Sequence, residues 1–182
     1  SINAFAAPGG IIGINLGMFL NTKREGELAS VMCHELAHLS QRHYARSQNR
    51  SSPLANALMI LGSIAVAAAS RNPEAIMIAP AAMQQMSINY TRSNEKEADR
   101  IGFNNLVKAG FDPNDMTMMF QRMQDKYQRE DSEQFSYLMT HPLPSERLTD
   151  MRIRADNISK PSEGSFRDNL DFYFCISNFT FN

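Results

Sequence analysis

His34, Glu35 and His38 stand in the order His-Glu-x-x-His within VMCHELAHLS, residues 31–40. A helix turns about 100° per residue, so His34 and His38 would differ by about 40° and project from one face, where two imidazoles can share an ion. Glu35, about 100° from His34, is placed to reach a water on that ion rather than to act as an equivalent ligand. Zinc held in this way lowers the pKa of its water to about 7, and a neighbouring carboxylate takes the proton as the water attacks. That is hydrolytic chemistry. A single helical histidine more often caps or packs, but here two of the chain's four histidines share one turn with an acid between them.

A catalytic zinc commonly takes three protein ligands and keeps one position open. His43 is offset by about 180° from His34 on the same helix and reads as a packed or hydrogen-bonded histidine. The pattern H-E-x-x-H-x-x-G-x-x-H fails, because Gln41 replaces the glycine and Tyr44 the last histidine. Cys33, about 100° from His34 and about 140° from His38, reads as a small buried hydrophobe. Downstream, NEKEADR sets Glu95 and Asp99 four apart on one helical face, with Glu97 about 200° from Glu95. One carboxylate of that pair can bind a metal while the other accepts the free N–H of a ligand histidine and fixes its tautomer. On the residues alone, a solvated acidic face shared with Lys96 and Arg100 is the better account of the run, because charged runs on helices are common.

These groups must be positioned by a mostly helical chain. INAFAAPGGIIGINLG reads as two short strands about a Pro-Gly-Gly turn. Thr22 and Glu25 form a T-x-x-E capping box, and Leu28, Met32, Leu36 and Leu39 recur at helical spacing, which predicts one helix over residues 23–47 with an apolar face opposite the motif. LANALMILGSIAVAAA, residues 54–69, is apolar but only 16 residues long, whereas crossing a bilayer takes about 20, so it reads as a buried or interfacial helix. Pro80 is expected to end or kink any helix through EAIMIAPAAMQQMSI. A further helix carries NEKEADRIGFNNLVKAG and closes at Gly110, and the next begins with Asp112 as N-cap and Pro113 at its first position. A last helix follows HPLPSERL.

The chain has 182 residues, is 43% hydrophobic and carries a net charge of −1, with room for one core. No basic run interleaved with aromatics suits a phosphate backbone, which excludes nucleic acid as a partner. Cys33 and Cys175 lie too far apart in sequence for a C-x-x-C motif. The chain starts at Ser1 with no signal-like segment, and processing or truncation is expected to account for this.

NAFAAPGG, ELASVMCHELAHLSQRH, NEKEADRIG and THPLPSERL, in that order, cover nearly all of residues 2–155. With them the chain resembles the zinc metallopeptidases that include HtpX, the CaaX prenyl proteases and the periplasmic BepA-type proteases, known as metallopeptidase family forty-eight. DRIGFNNLVKAGFDP and HPLPSERL are most similar to the BepA-type branch. The resemblance implies an α+β, mostly helical gluzincin-like domain over residues 1–158, with a small N-terminal β-sheet and one Zn²⁺ per chain. It implies His34, His38 and Glu95 as ligands, Asp99 behind them and Glu35 as general base. It further implies that His141 approaches the zinc in a latent state, and that Asn3, Ala4, Phe5 and Ala6 form an edge strand on which an extended peptide pairs. Arg147 either steadies a substrate carbonyl or pairs with an acid. Residues 159–182 read as a linker and tail, the start of a TPR-like helical region. The implied activity is periplasmic cleavage of misfolded or stalled envelope proteins. A chaperone-like protein with a structural or latent zinc is the rival reading, and peripheral membrane contact through residues 54–69 is a further expectation.

Overall fold

The computed structural model describes residues 1–48, 53–129 and 136–158. Strands β1 (Ala4–Ala7) and β2 (Ile11–Ile14) pair antiparallel with Ala4 opposite Ile14 and Ala7 opposite Ile11. Gly9 and Gly10 carry φ of 92° and 82° in the connecting turn, a backbone that side chains resist, so the Pro-Gly-Gly break makes the hairpin possible. Helices follow: α1 (Leu16–Leu20), α2 (Glu25–Ser40), α3 (His43–Gln48), α4 (Pro53–Ser70), a 3₁₀ turn (Pro73–Met77), α5 (Ile78–Lys108), α6 (Asn114–Arg129), α7 (Ser136–Thr140) and α8 (Ser145–Asp156). The expected class, mostly helix with a small N-terminal sheet, is what forms. The expected tail at 159–182 lies outside the described residues.

The chain divides into two compact units, one made of Ser1–Gln41 with the residues from Glu95 onward, the other of Arg42–Asn94. In the first, α6 presents Met116, Met119, Phe120 and Met123 at helical spacing, and these are buried with Met18, Val31, Leu106, Tyr137 and Met151 in a methionine-rich core. In the second, α4 packs against the 3₁₀ turn.

Local readings changed in four places. The helix expected over 23–47 ends at Ser40, because Arg42 adopts φ 54° and the chain turns before α3. Thr22 is not its cap: the Thr22 hydroxyl donates to the Phe19 carbonyl, and Glu27, not Glu25, reaches back to accept from the Lys23 amide at 2.6 Å. Pro80 neither ends nor kinks a helix, since it lies in the first turn of the 31-residue α5, where a missing N–H costs nothing. The expected apolar face of α2 is also wrong: Met32 and Leu36 are 44% and 47% exposed, while Glu27, Ser30, His34 and Glu35 are buried. Elsewhere the sequence signals hold. The Phe111 amide returns to the Leu106 carbonyl past Gly110, and Asp112 accepts the Asn114 amide at 2.9 Å.

One contact fixes the separation of the two helices that matter most. A Cβ placed on Gly102 of α5 would lie 3.0 Å from both the Cα and the amide nitrogen of His34. Only glycine lets the α5 backbone press against α2 at that residue.

Candidate metal centre

α2 buries its motif face. His34 is fully buried, Glu35 is 1% exposed, and the His38 side chain is 14% exposed. Their spacing brings His34 Nε2 and His38 Nε2 to 3.0 Å. α5, held close by Gly102, places the Glu95 carboxylate against both, with Oε2 3.3 Å from His34 Nε2 and Oε1 3.3 Å from His38 Nε2. His141, just after α7, brings Nδ1 to 3.0 and 3.1 Å from the two Glu95 oxygens. One donor atom from each of His34, His38, Glu95 and His141 lies within 4.8 Å of the other three, a set that could hold a metal ion. Zinc bonds of about 2.0–2.1 Å at tetrahedral angles set ligand atoms about 3.3 Å apart, close to the histidine–carboxylate distances seen here.

Two further features fit a dication. With the histidines neutral, as metal ligands must be, Glu35, Glu95 and Asp99 stand against the guanidinium of Arg147 and leave −2 for a divalent ion to balance. Both Glu35 oxygens are buried without a hydrogen-bond partner, with His141 Nε2 3.6 Å from Oε1. A carboxylate is not buried bare without cost, so this one is aimed at something the site receives.

Behind the donors, Asp99 Oδ1 is 3.0 Å from His34 Nδ1, with alignment poor enough that attraction rather than a hydrogen bond dominates. Arg147, 4% exposed, grips Asp99 with Nε at 2.6 Å and Nη2 at 2.7 Å. Its Nη1 donates to the Pro142 carbonyl at 2.6 Å and lies 2.9 Å from Glu95 Oε2. All three nitrogens thus meet acceptors in the protein, and Arg147 pairs with acids.

The titration behaviour follows from these contacts. Burial alone would lower the His34 pKa, but Asp99 and then Glu95 outweigh it and raise it to about 9. His38 is lowered, by burial first and by the neighbouring histidines, against the pull of Glu95. Burial opposes ionisation of Glu95 and Asp99, yet the close approach of His141, His34 and His38 to the first, and of His34 and Arg147 to the second, holds both below the usual carboxylate range. Burial opposes the Arg147 charge too, and Asp99 more than restores it. Cys33 is partly buried and its thiol is pushed up to about 11, in keeping with a packed hydrophobe.

Tyr137 was not anticipated. Its ring stacks on His141 at 4.7 Å, and its amide donates to the Ile2 carbonyl at 3.2 Å, next to β1. Burial, then the charges of Glu35 and Glu95, push its hydroxyl well above the ordinary tyrosine value. The four-residue spacing to His141 in SYLMTH was the available signal. Of the expected peptide-pairing residues, Ala4, Phe5 and Ala6 lie in β1 and Asn3 precedes it. Asn15 N donates to Asn3 O, so in this register the polar groups of Asn3, Phe5 and Ala7 face β2 and those of Ala4 and Ala6 face the other edge. No strand covers that edge among the described residues. His43 is buried and belongs to the other unit.

A family model described as Peptidase family M48 matches residues 1–155. The chain belongs to peptidase family M48. A relative from Vibrio cholerae is 51% identical over 160 residues, covering 85% of this chain and 33% of the relative. The beta-barrel assembly-enhancing protease of Escherichia coli K12 is 43% identical over 164 residues, covering 86% of this chain and 33% of that protein. The mitochondrial metalloendopeptidase OMA1 of Schizosaccharomyces pombe is 30% identical over 146 residues, covering 80% of this chain and 41% of that protein. The chain spans about a third of the length of its bacterial relatives.

Proposed function

We propose that the chain is a zinc metalloendopeptidase domain in which His34, His38 and Glu95 hold one Zn²⁺ and Glu35 is the general base. The observation that carries this reading is the bare, buried Glu35 carboxylate beside a converging set of histidine and carboxylate donors. A structural zinc site has no use for such a base. Zinc would supply Lewis acidity, polarising a peptide carbonyl and acidifying water near neutral pH. Glu35 takes the proton of the attacking water on a carboxylate oxygen and passes it to the departing amide nitrogen. Asp99 holds the His34 ring through Nδ1, and Arg147 holds Asp99 and Glu95 in turn. The outward N–H and C=O groups of Ala6, which is only partly buried, suit an extended peptide, giving affinity through main-chain hydrogen bonds, whereas Ala4 beside it is buried. The substrates we assign, by similarity to the beta-barrel assembly-enhancing proteases, are misfolded or stalled envelope proteins in the periplasm.

Protein purified without added ions is expected to carry about one equivalent of zinc, and chelation should end cleavage of an unfolded reporter until zinc is returned. Absence of zinc, or cleavage indifferent to chelation, overturns the reading. A pH series gives a separate readout. His38 and Glu95 have lowered pKa values and are already free of their protons, so His34, raised to about 9, is the ligand that must lose one. Apparent zinc affinity in a chelator competition should therefore climb about tenfold per pH unit from neutrality and level off above about 9.

His141 favours a second, latent state of the same site. It stands among the donors, and Tyr137, stacked on it, bonds the chain beside the peptide-pairing edge. In that state substrates are held rather than cut, which is the chaperone-like alternative. His141→Ala is expected to raise peptidase activity and to weaken zinc binding by about tenfold, the lower end of what a lost partner of a metal site costs. If neither quantity moves, His141 is no gate.

A further inference from the structure

We propose that α4 docks the unit Arg42–Asn94 on an anionic lipid bilayer, lying in the interface, with the unit's net positive charge adding attraction. Leu54, Leu58 and Leu61 fall within about 60° of one another around the helix and are 70%, 60% and 62% exposed. The buried side of α4 is Ser63 and Ala67, at 6% and 8%. The helix is therefore turned inside out, its small and polar side covered and its leucines in water. An exposed apolar stripe of this kind marks a surface that something covers. Nothing charged interrupts it: Pro53–Ser70 contains no Asp, Glu, Lys or Arg.

Charge identifies the occupant. The unit Arg42–Asn94 holds five arginines, Arg42, Arg46, Arg50, Arg71 and Arg92, against one acid, Glu74, and has no lysine or aspartate. It carries +4 in a chain whose net charge is −1, so the rest carries −5. A charge-free apolar helix flanked by arginines is the composition of an interfacial element, which gains from acyl-chain contact and from attraction to anionic headgroups together. A second copy would bring +4 against +4. An extended polypeptide has no need of such segregation. No helix among the described residues is long and apolar enough to cross a membrane, which agrees with a helix lying in the surface plane.

The test uses vesicles and needs neither zinc nor cleavage, so its failure is distinct from failure of the peptidase reading. The chain has no tryptophan, so Leu61→Trp supplies a single probe at an exposed site. The protein is expected to co-sediment with vesicles of phosphatidylethanolamine and phosphatidylglycerol, with a blue shift of the probe's emission. Weaker binding is expected to phosphatidylcholine vesicles or at high salt. The pair Leu58→Asp with Leu61→Asp should cut binding by about tenfold or more, with circular dichroism reporting the fold; the tryptophan readout stands if that pair does not fold. No co-sedimentation with anionic vesicles, an unshifted probe, or equal binding by the folded aspartate pair overturns the proposal. So does a self-associating chain that the aspartate pair dissociates and vesicles do not bind.

Discussion

Glu35→Gln is expected to lower kcat for peptide cleavage by about a thousandfold, within the range of about 10²–10⁴ that a positioned general base contributes, while zinc content stays at one equivalent. Glutamine has nearly the same shape, so the burial of this position, 1% exposed, is preserved. What changes is proton affinity. Both Glu35 oxygens lack a protein hydrogen-bond partner, so no neighbouring side chain has to be repacked when the charge goes. His34, His38 and Glu95 keep their mutual contacts, which is why metal content and activity should separate. The measurement is single-turnover cleavage of an unfolded reporter alongside metal analysis on the same preparation. Cleavage that continues undiminished removes Glu35 from the chemistry. Loss of zinc together with activity would instead make Glu35 part of the metal's support.

Arg147→Ala should carry the largest stability cost, about 3–5 kcal/mol, the range for breaking a buried ion pair by deleting one partner. Arg147 is 4% exposed, and Asp99 beneath it is 1% exposed. Without the guanidinium, Asp99 and Glu95 remain charged, buried and close, and the Pro142 carbonyl loses its donor. At roughly 2–4 °C per kcal/mol for a chain of this size, the melting temperature should fall by about 6–20 °C. The fall should be larger in chelated than in zinc-loaded protein, because bound cation binds the folded state selectively and offsets the same carboxylates. Arg147→Lys, which keeps the charge but not the two-pronged grip on Asp99, should lie between. A loss below about 1 kcal/mol by denaturant titration would show that the Arg147 pairings hold nothing together.

The chemistry of the site was easier to read from the sequence than its surroundings. Helical phase alone put His34 with His38 and Glu95 with Asp99, and set Glu97 aside, because side-chain direction on a regular helix is a geometric property of spacing. Periodicity misjudged α2 for a physical reason. It assumes that apolar positions mark the inside, yet here the inside is the polar cluster of the site, and Met32 and Leu36 are left exposed. The break at Arg42 was illegible because it uses a positive φ without glycine. Pro80 misled because its effect depends on whether it falls in the first turn or in a helix interior. Glu27 displaced Glu25 as the capping acid once the helix start moved, although Glu27 also binds Arg122 at 2.6 Å, a partner 95 residues away that no local pattern could supply. Tyr137 required the fold, since only the packed chain shows which ring lies on His141.

The hydrogen atom that Gly102 carries in place of a methyl group sets the tolerance of the whole centre. Glu95 and Asp99 ride on the same rigid rod as Gly102, seven and three residues upstream, so a spacer inserted there would be levered outward along the rod toward both carboxylates. The least chemical residue in the neighbourhood acts as the gauge block against which the acids and the imidazoles are machined to fit.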